Sequence, residues 1–196
     1  MTKHFLFLEI RDSEICTLLH QLRYCFNKKP SKSNIHITVR GPYKNELKLD
    51  DTERFQKIME GDTIRIGDVG RFDNSDTSVV FLRIASQHLG KIWWKPDYPK
   101  RKYGFNPHIS LYSGKDKILA DHIFDFLKSE SLYLDTRQFE LTKYVSNQFC
   151  LISEGRQKFE KHFLRLILNK KVKGDILTRA QAVVDSHHQF TRLSVG

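Results

Sequence analysis

Two short runs of this chain carry the same arrangement of reactive side chains. Asn34 to Tyr43 reads NIHITVRGPY, and Asn106 to Gly114 reads NPHISLYSG. Each places a histidine two residues before a hydroxyl: His36 before Thr38, and His108 before Ser110. In a strand, residues i and i+2 share a face, so each run presents an imidazole and a hydroxyl together. Ile35, Ile37 and Val39 in the first run, and Ile109 and Leu111 in the second, point the other way. None of the other histidines among the nine is followed at the second position by Ser or Thr. Two imidazoles with ordinary pKa near ~6.5 can be held in opposite protonation states near neutral pH. One then takes a proton from a nucleophile while the other gives one to a leaving oxygen. The hydroxyls of Thr38 and Ser110 would donate hydrogen bonds to oxygens on which charge builds. Which histidine is the acid stays open. Arg40 and Tyr112, four residues after the histidines, continue the same faces if alternation holds, and are candidates to extend the grip on substrate.

The elements that must position these residues follow from pattern. His4 to Ile10 is aromatic and branched and reads as a buried strand, and Ser13 to Phe26 carries Ile15, Leu18, Leu19, Leu22 and Phe26 at helical spacing. Asp12 or Ser13 can cap that helix. A helix is expected over 50–59, then an antiparallel hairpin from TIRIGDVGRF and SVVFLRI. A helix is expected over 86–94, a strand at HISLYSG and a helix over 116–128. Strands at 132–145 and 149–152 complete the order β-α-β-α-β-β-α-β-α-β-β. The two halves repeat a unit, which predicts an α+β fold on antiparallel sheet. The expected division is a domain at 1–155 and a basic helical extension at 156–196, in which Phe159, Phe163, Leu166 and Ile167 form an apolar stripe.

The paired HIT and HIS runs, about seventy residues apart in this element order, resemble the 2H phosphoesterase superfamily, which includes 2′-5′ RNA ligase-like proteins and cyclic nucleotide phosphodiesterases. The resemblance spans roughly residues 1–155. It implies a bilobal, pseudo-symmetric fold with antiparallel sheets around a central cleft and helices outside. It also implies catalytic roles for His36, Thr38, His108 and Ser110. The implied activity is metal-independent cleavage of a phosphodiester: a 2′-5′ linkage, a 2′,3′-cyclic phosphate or a cyclic oligonucleotide. No cofactor or metal is expected. Two other readings are a non-catalytic RNA- or nucleotide-binding module and a ligase running the reaction backwards.

Composition fits these readings. Thirty-three Lys and Arg against twenty-three Asp and Glu give a formal charge of +10, a field that concentrates phosphate-bearing ligands. The expected partner is an RNA, oligonucleotide or cyclic nucleotide, bound by a monomer. The segment Trp93 to Phe105 interleaves aromatics with Lys95, Lys100, Arg101 and Lys102, a composition suited to stacking bases and holding phosphates. Lys102, Tyr103 and Phe105 are its candidate binding residues, against the alternative of a buried Trp pair and a solvated loop. The pair His187-His188 is expected at the surface. Three cysteines without close pairing, and a first apolar run too short for a signal or a membrane span, point to a cytoplasmic protein.

Overall fold

The structure is a computed structural model and describes residues 2–28, 33–46, 49–95, 104–146 and 171–193. The fold is α+β, with two antiparallel sheets. The chain opens with β1 (Lys3–Ile10), α1 (Ser13–Phe26), β2 (His36–Tyr43) and α2 (Leu49–Met59). The hairpin β3 (Ile64–Asp73) and β4 (Ser78–Ala85) follows, then α3 (Leu89–Ile92), β5 (His108–Gly114) and α4 (Lys117–Glu130). The short β6 (Leu134–Thr136), β7 (Phe139–Ser146) and α5 (Lys171–Leu193) complete it. One sheet runs β2-β1-β7 and the other β5-β4-β3-β6.

Local chemistry accounts for most boundaries. Asp12 accepts from the backbone N–H groups of Glu14 and Ile15 and starts α1, and Asp116 accepts from Leu119 N and starts α4. The apolar faces of both helices, Leu18, Leu19 and Leu22 on one and Leu119, Ile123 and Leu127 on the other, pack into a single core with Leu6, Leu8, Ile37, Leu82 and Ile109. The helix expected over 86–94 shortens to one turn. Ser86 Oγ donates to Asp62 and accepts from Leu89 N at 2.9 Å, which starts the turn, and Trp94 then leaves it to bridge with Arg40.

The expected strand over 132–145 is two strands in different sheets. β6 pairs with β3 and β7 with β1, so the chain crosses between sheets at Arg137 and Gln138, where Arg11 N reaches Gln138 O. The expected strand at 149–152 and the apolar stripe at 159–167 lie outside the described residues. α5 runs without interruption through the KVKGD stretch at 171–175.

α5 packs against α1 and α4, burying Ile176, Ala180 and Val184. Arg179 holds both oxygens of Glu130 at the C-terminal end of α4, at 2.9 and 2.6 Å. At the other end of α4, His187 Nε2 lies 2.8 Å from the capping carboxylate of Asp116. His187 is therefore not at the surface as expected. It is 4% exposed, because Asp116 gives its ring a polar partner inside the packed interface. His122 and His188 flank it, yet among the described residues no group of three His, Cys, Asp or Glu is arranged to hold a metal. No helix there is long and apolar enough to cross a membrane.

The fold lowers the pKa of three histidines. Burial pushes His20 from 6.5 down to about 4, with the Arg23 guanidinium adding to the effect, and burial lowers His36 and His108 as well. Between pH 6.5 and about 4 the unfolded chain binds protons that the folded chain refuses, so stability falls as pH falls through this window. Thermal unfolding followed by circular dichroism should show the midpoint decreasing from pH 7 to pH 4.5, less steeply in His20→Gln. A flat midpoint would contradict this account.

Candidate active site

The two histidine-bearing strands occupy matching places in different sheets. Among the described strands β2 ends its sheet beside β1 and β5 ends its sheet beside β4, and β2 and β5 lie against one another. Their ladders carry the same register. On β1, Glu9 opposes His36, Leu8 opposes Ile37 and Phe7 opposes Thr38; on β4, Arg83 opposes His108, Leu82 opposes Ile109 and Phe81 opposes Ser110.

Each imidazole is set by the same two contacts. His36 Nδ1 lies 2.8 Å from Asn34 O, and His108 Nδ1 lies 2.7 Å from Asn106 O. A carbonyl only accepts, so Nδ1 carries the proton in the neutral ring and Nε2 is left with its lone pair. Each ring also rests on an aromatic of the neighbouring strand. Phe7 stacks on His36 with centroids 4.1 Å apart, and Phe81 lies 4.6 Å from His108. Phe81 fits because Gly70 faces it across the ladder: a Cβ on Gly70 would come within 2.2 Å of the Phe81 ring.

A cavity of about 340 Å³ opens where the strands meet, lined by His36, Thr38, His108 and Ser110 together. Arg23 of α1 and Asn27, which caps that helix, supply two further walls that the sequence pattern did not single out. Asn27 Nδ2 donates to Leu111 O at 2.8 Å and its Oδ1 accepts from Ser113 N at 3.1 Å. Arg23 Nε donates to Ser110 O at 2.8 Å and Arg23 Nη1 to Ser33 O at 3.3 Å. The available signal was weak: a polar pair at i and i+4 continuing the line of an apolar helix face.

Electrostatics disfavour positive charge on both rings. For His36, burial is the largest cause of its lowered pKa; the Asn34 carbonyl raises it, Arg23 lowers it, Glu9 raises it and His108 lowers it. For His108, burial again dominates, the Asn106 carbonyl raises the pKa and Arg83 lowers it. Side-chain contacts support both carbonyls. Asn34 Nδ2 donates to Glu9 at 2.9 Å, and Arg83 Nη1 to Asn106 Oδ1 at 3.4 Å.

The structure separates the remaining candidates. The register slips by one residue directly after Thr38 and directly after Ser110, so that Arg40 opposes Leu6 and Tyr112 opposes Val80. The extra residue breaks the alternation on which the expected positions of Arg40 and Tyr112 rested. Arg40 is not among the cavity-lining residues; its guanidinium sits 4.2 Å over the Phe55 ring and its Nε donates to Ile92 O. Tyr112 still lines the cavity, but it is buried, and its hydroxyl donates to Asp116 O at 3.1 Å. Phe105 is 46% exposed and packs edge-on against Trp93, outside the cavity lining, while Trp94 is 59% exposed. Lys102 and Tyr103 lie outside the described residues.

No family model, curated protein or solved structure significantly matches this chain.

Two measurements check this geometry. Long-range ¹⁵N–¹H spectra at pH 8 should show His36 and His108 protonated on Nδ1, and protonation of either on Nε2 would contradict the carbonyl contacts. Gly70→Ala should displace Phe81 and shift the His108 ring resonances while those of His36 hold; unmoved His108 signals would show that the contact is not needed.

Proposed function

We propose that the protein is a phosphodiesterase of the 2H phosphoesterase type, with His36 and His108 as its acid–base pair. The observation that carries this reading is the convergence of both histidines and both hydroxyls on one cavity, each imidazole oriented with Nε2 available for proton transfer. The matching registers of β1-β2 and β4-β5, each slipping at the same point, support the finer reading of the fold as two related lobes about a shared cleft.

In this reading a phosphodiester sits between the rings. One neutral imidazole removes a proton from the attacking oxygen through Nε2, and the other, protonated, delivers a proton to the departing oxygen. Thr38 and Ser110 hold the non-bridging oxygens as charge accumulates. The substrates proposed are a 2′-5′ linkage, a 2′,3′-cyclic phosphate or a cyclic oligonucleotide. Ligation is the same path reversed, with acid and base exchanging roles. The formal +10 charge also suits a module that binds nucleic acid without cleaving it.

A hydrolysis panel separates these readings: 2′-5′ and 3′-5′ oligonucleotides, 2′,3′-cyclic nucleotides and cyclic dinucleotides, with products identified. Turnover of at least one substrate is expected, unaffected by EDTA, with kcat falling about 100- to 10,000-fold in His36→Asn and in His108→Asn. Binding without turnover across the panel, or full activity in either variant, would overturn the assignment.

The lowered pKa values set the direction of the pH dependence. Cleavage needs one ring protonated and one neutral, and the fold lowers both pKa values from 6.5. The kcat/KM profile, which reports the free enzyme, should therefore be bell-shaped with its centre below about 6.5. A profile that only rises with pH would contradict an acid histidine.

A further inference from the structure

The cavity holds one charge that the acid–base scheme does not use. Arg23 is 5% exposed, lines the cavity beside both histidines, and among the described residues its two hydrogen-bond acceptors are uncharged backbone carbonyls. None of the described residues lining the cavity is Asp or Glu. A buried guanidinium is costly without an opposite charge, and burial pulls this one down to about 10. With five N–H donors and two used on carbonyls, three have no partner among the described residues.

We propose that Arg23 is the anion-binding residue of this cavity, and that its ligand is a phosphate group seated between the two imidazoles. The choice of phosphate rests on the reading of the site given above and on the donor set. A guanidinium, two hydroxyls and one protonated imidazole are more donors than a planar carboxylate accepts, and they suit a tetrahedral anion.

A consequence follows for the protonation states. Within the protein alone, Arg23 opposes a second positive charge on His36, and His108 does the same; Glu9 favours one, and Arg83 opposes one on His108. A phosphate that meets Arg23 supplies the missing negative charge and allows one ring to take up a proton. Substrate thus brings the condition under which its own acid catalyst forms. The kcat profile, which reports the bound state, is displaced to higher pH than that of kcat/KM.

The test is a titration of the histidine ring resonances with inorganic phosphate, and separately with acetate, in wild type, Arg23→Gln and Arg23→Lys. In wild type, phosphate should shift His36 and His108 and raise the pKa of at least one of them. Arg23→Gln should weaken phosphate binding at least about tenfold and raise the phosphate-free pKa of His36, and Arg23→Lys should stay within a few-fold of wild type. Equal phosphate binding in Arg23→Gln, equal binding of acetate, or a loss in Arg23→Lys as large as in Arg23→Gln would each overturn the proposal. Arg23 also ties Ser110 and Ser33, so folding is checked by circular dichroism. If Arg23→Gln does not fold, calorimetry of phosphate binding to wild type near pH 7, in buffers of different ionisation heat, decides: net proton uptake is expected, and its absence overturns the proposal. Phosphate binding without turnover would leave this inference standing and sink the phosphodiesterase. Turnover with unchanged KM in Arg23→Gln would do the reverse.

Discussion

Two end strands meet in this fold without sharing a ladder. β2 and β5 belong to separate sheets, and each presents to the other an edge whose backbone groups need partners. Direct pairing would satisfy those groups and close the gap. Instead α1 and its C-cap residue satisfy the β5 edge with side chains: Arg23 takes Ser110 O, and Asn27 takes Leu111 O and Ser113 N. The seam stays open as a cavity, faced by residues of the two HxT/S runs together with Arg23 and Asn27. Everything proposed about chemistry depends on that substitution of helix side chains for strand pairing.

The two strands are prepared for the seam in the same way. A carbonyl two residues upstream fixes each imidazole, an aromatic across the ladder backs it, and a slip in register follows the hydroxyl. The surroundings differ in sign, however. A carboxylate, Glu9, opposes the first histidine across its ladder, and a guanidinium, Arg83, opposes the second. Both act through Coulomb interaction on rings that burial has already made reluctant to charge. The overall positive charge of the chain draws an anion toward the protein, while the cavity itself carries its cation at short range, where solvent screening is weakest.

The element order was legible in the sequence because its signals are local: alternation in HITV and HISL, helical spacing in Ser13 to Phe26, and aspartates at two helix starts. The candidate catalytic quartet was legible because alternation over three residues survives up to the slip. Arg40 was misplaced by extending that alternation two residues further, past an extra residue that only the pairing of two strands reveals, whereas Tyr112 lines the cavity despite the slip. Arg23 was missed because its contact with β5 joins it to a strand distant along the chain, and a polar i, i+4 pair beside an apolar helix face is a weak signal. His187 read as surface because Asp116, seventy-one positions away, supplies its partner. Such errors share a cause: the deciding contact joins parts of the chain that local sequence does not compare.

The claim at the centre is that His36 and His108 work as one unit on one phosphate. A kinetic double-mutant cycle tests it most directly, comparing kcat/KM on whichever substrate the protein cleaves for His36→Asn, His108→Asn and the combined variant. A cooperating acid and base predict that the combined variant loses little more than the worse single variant, because removing either disables the pair. Losses that multiply would show two histidines acting independently, and would contradict this account.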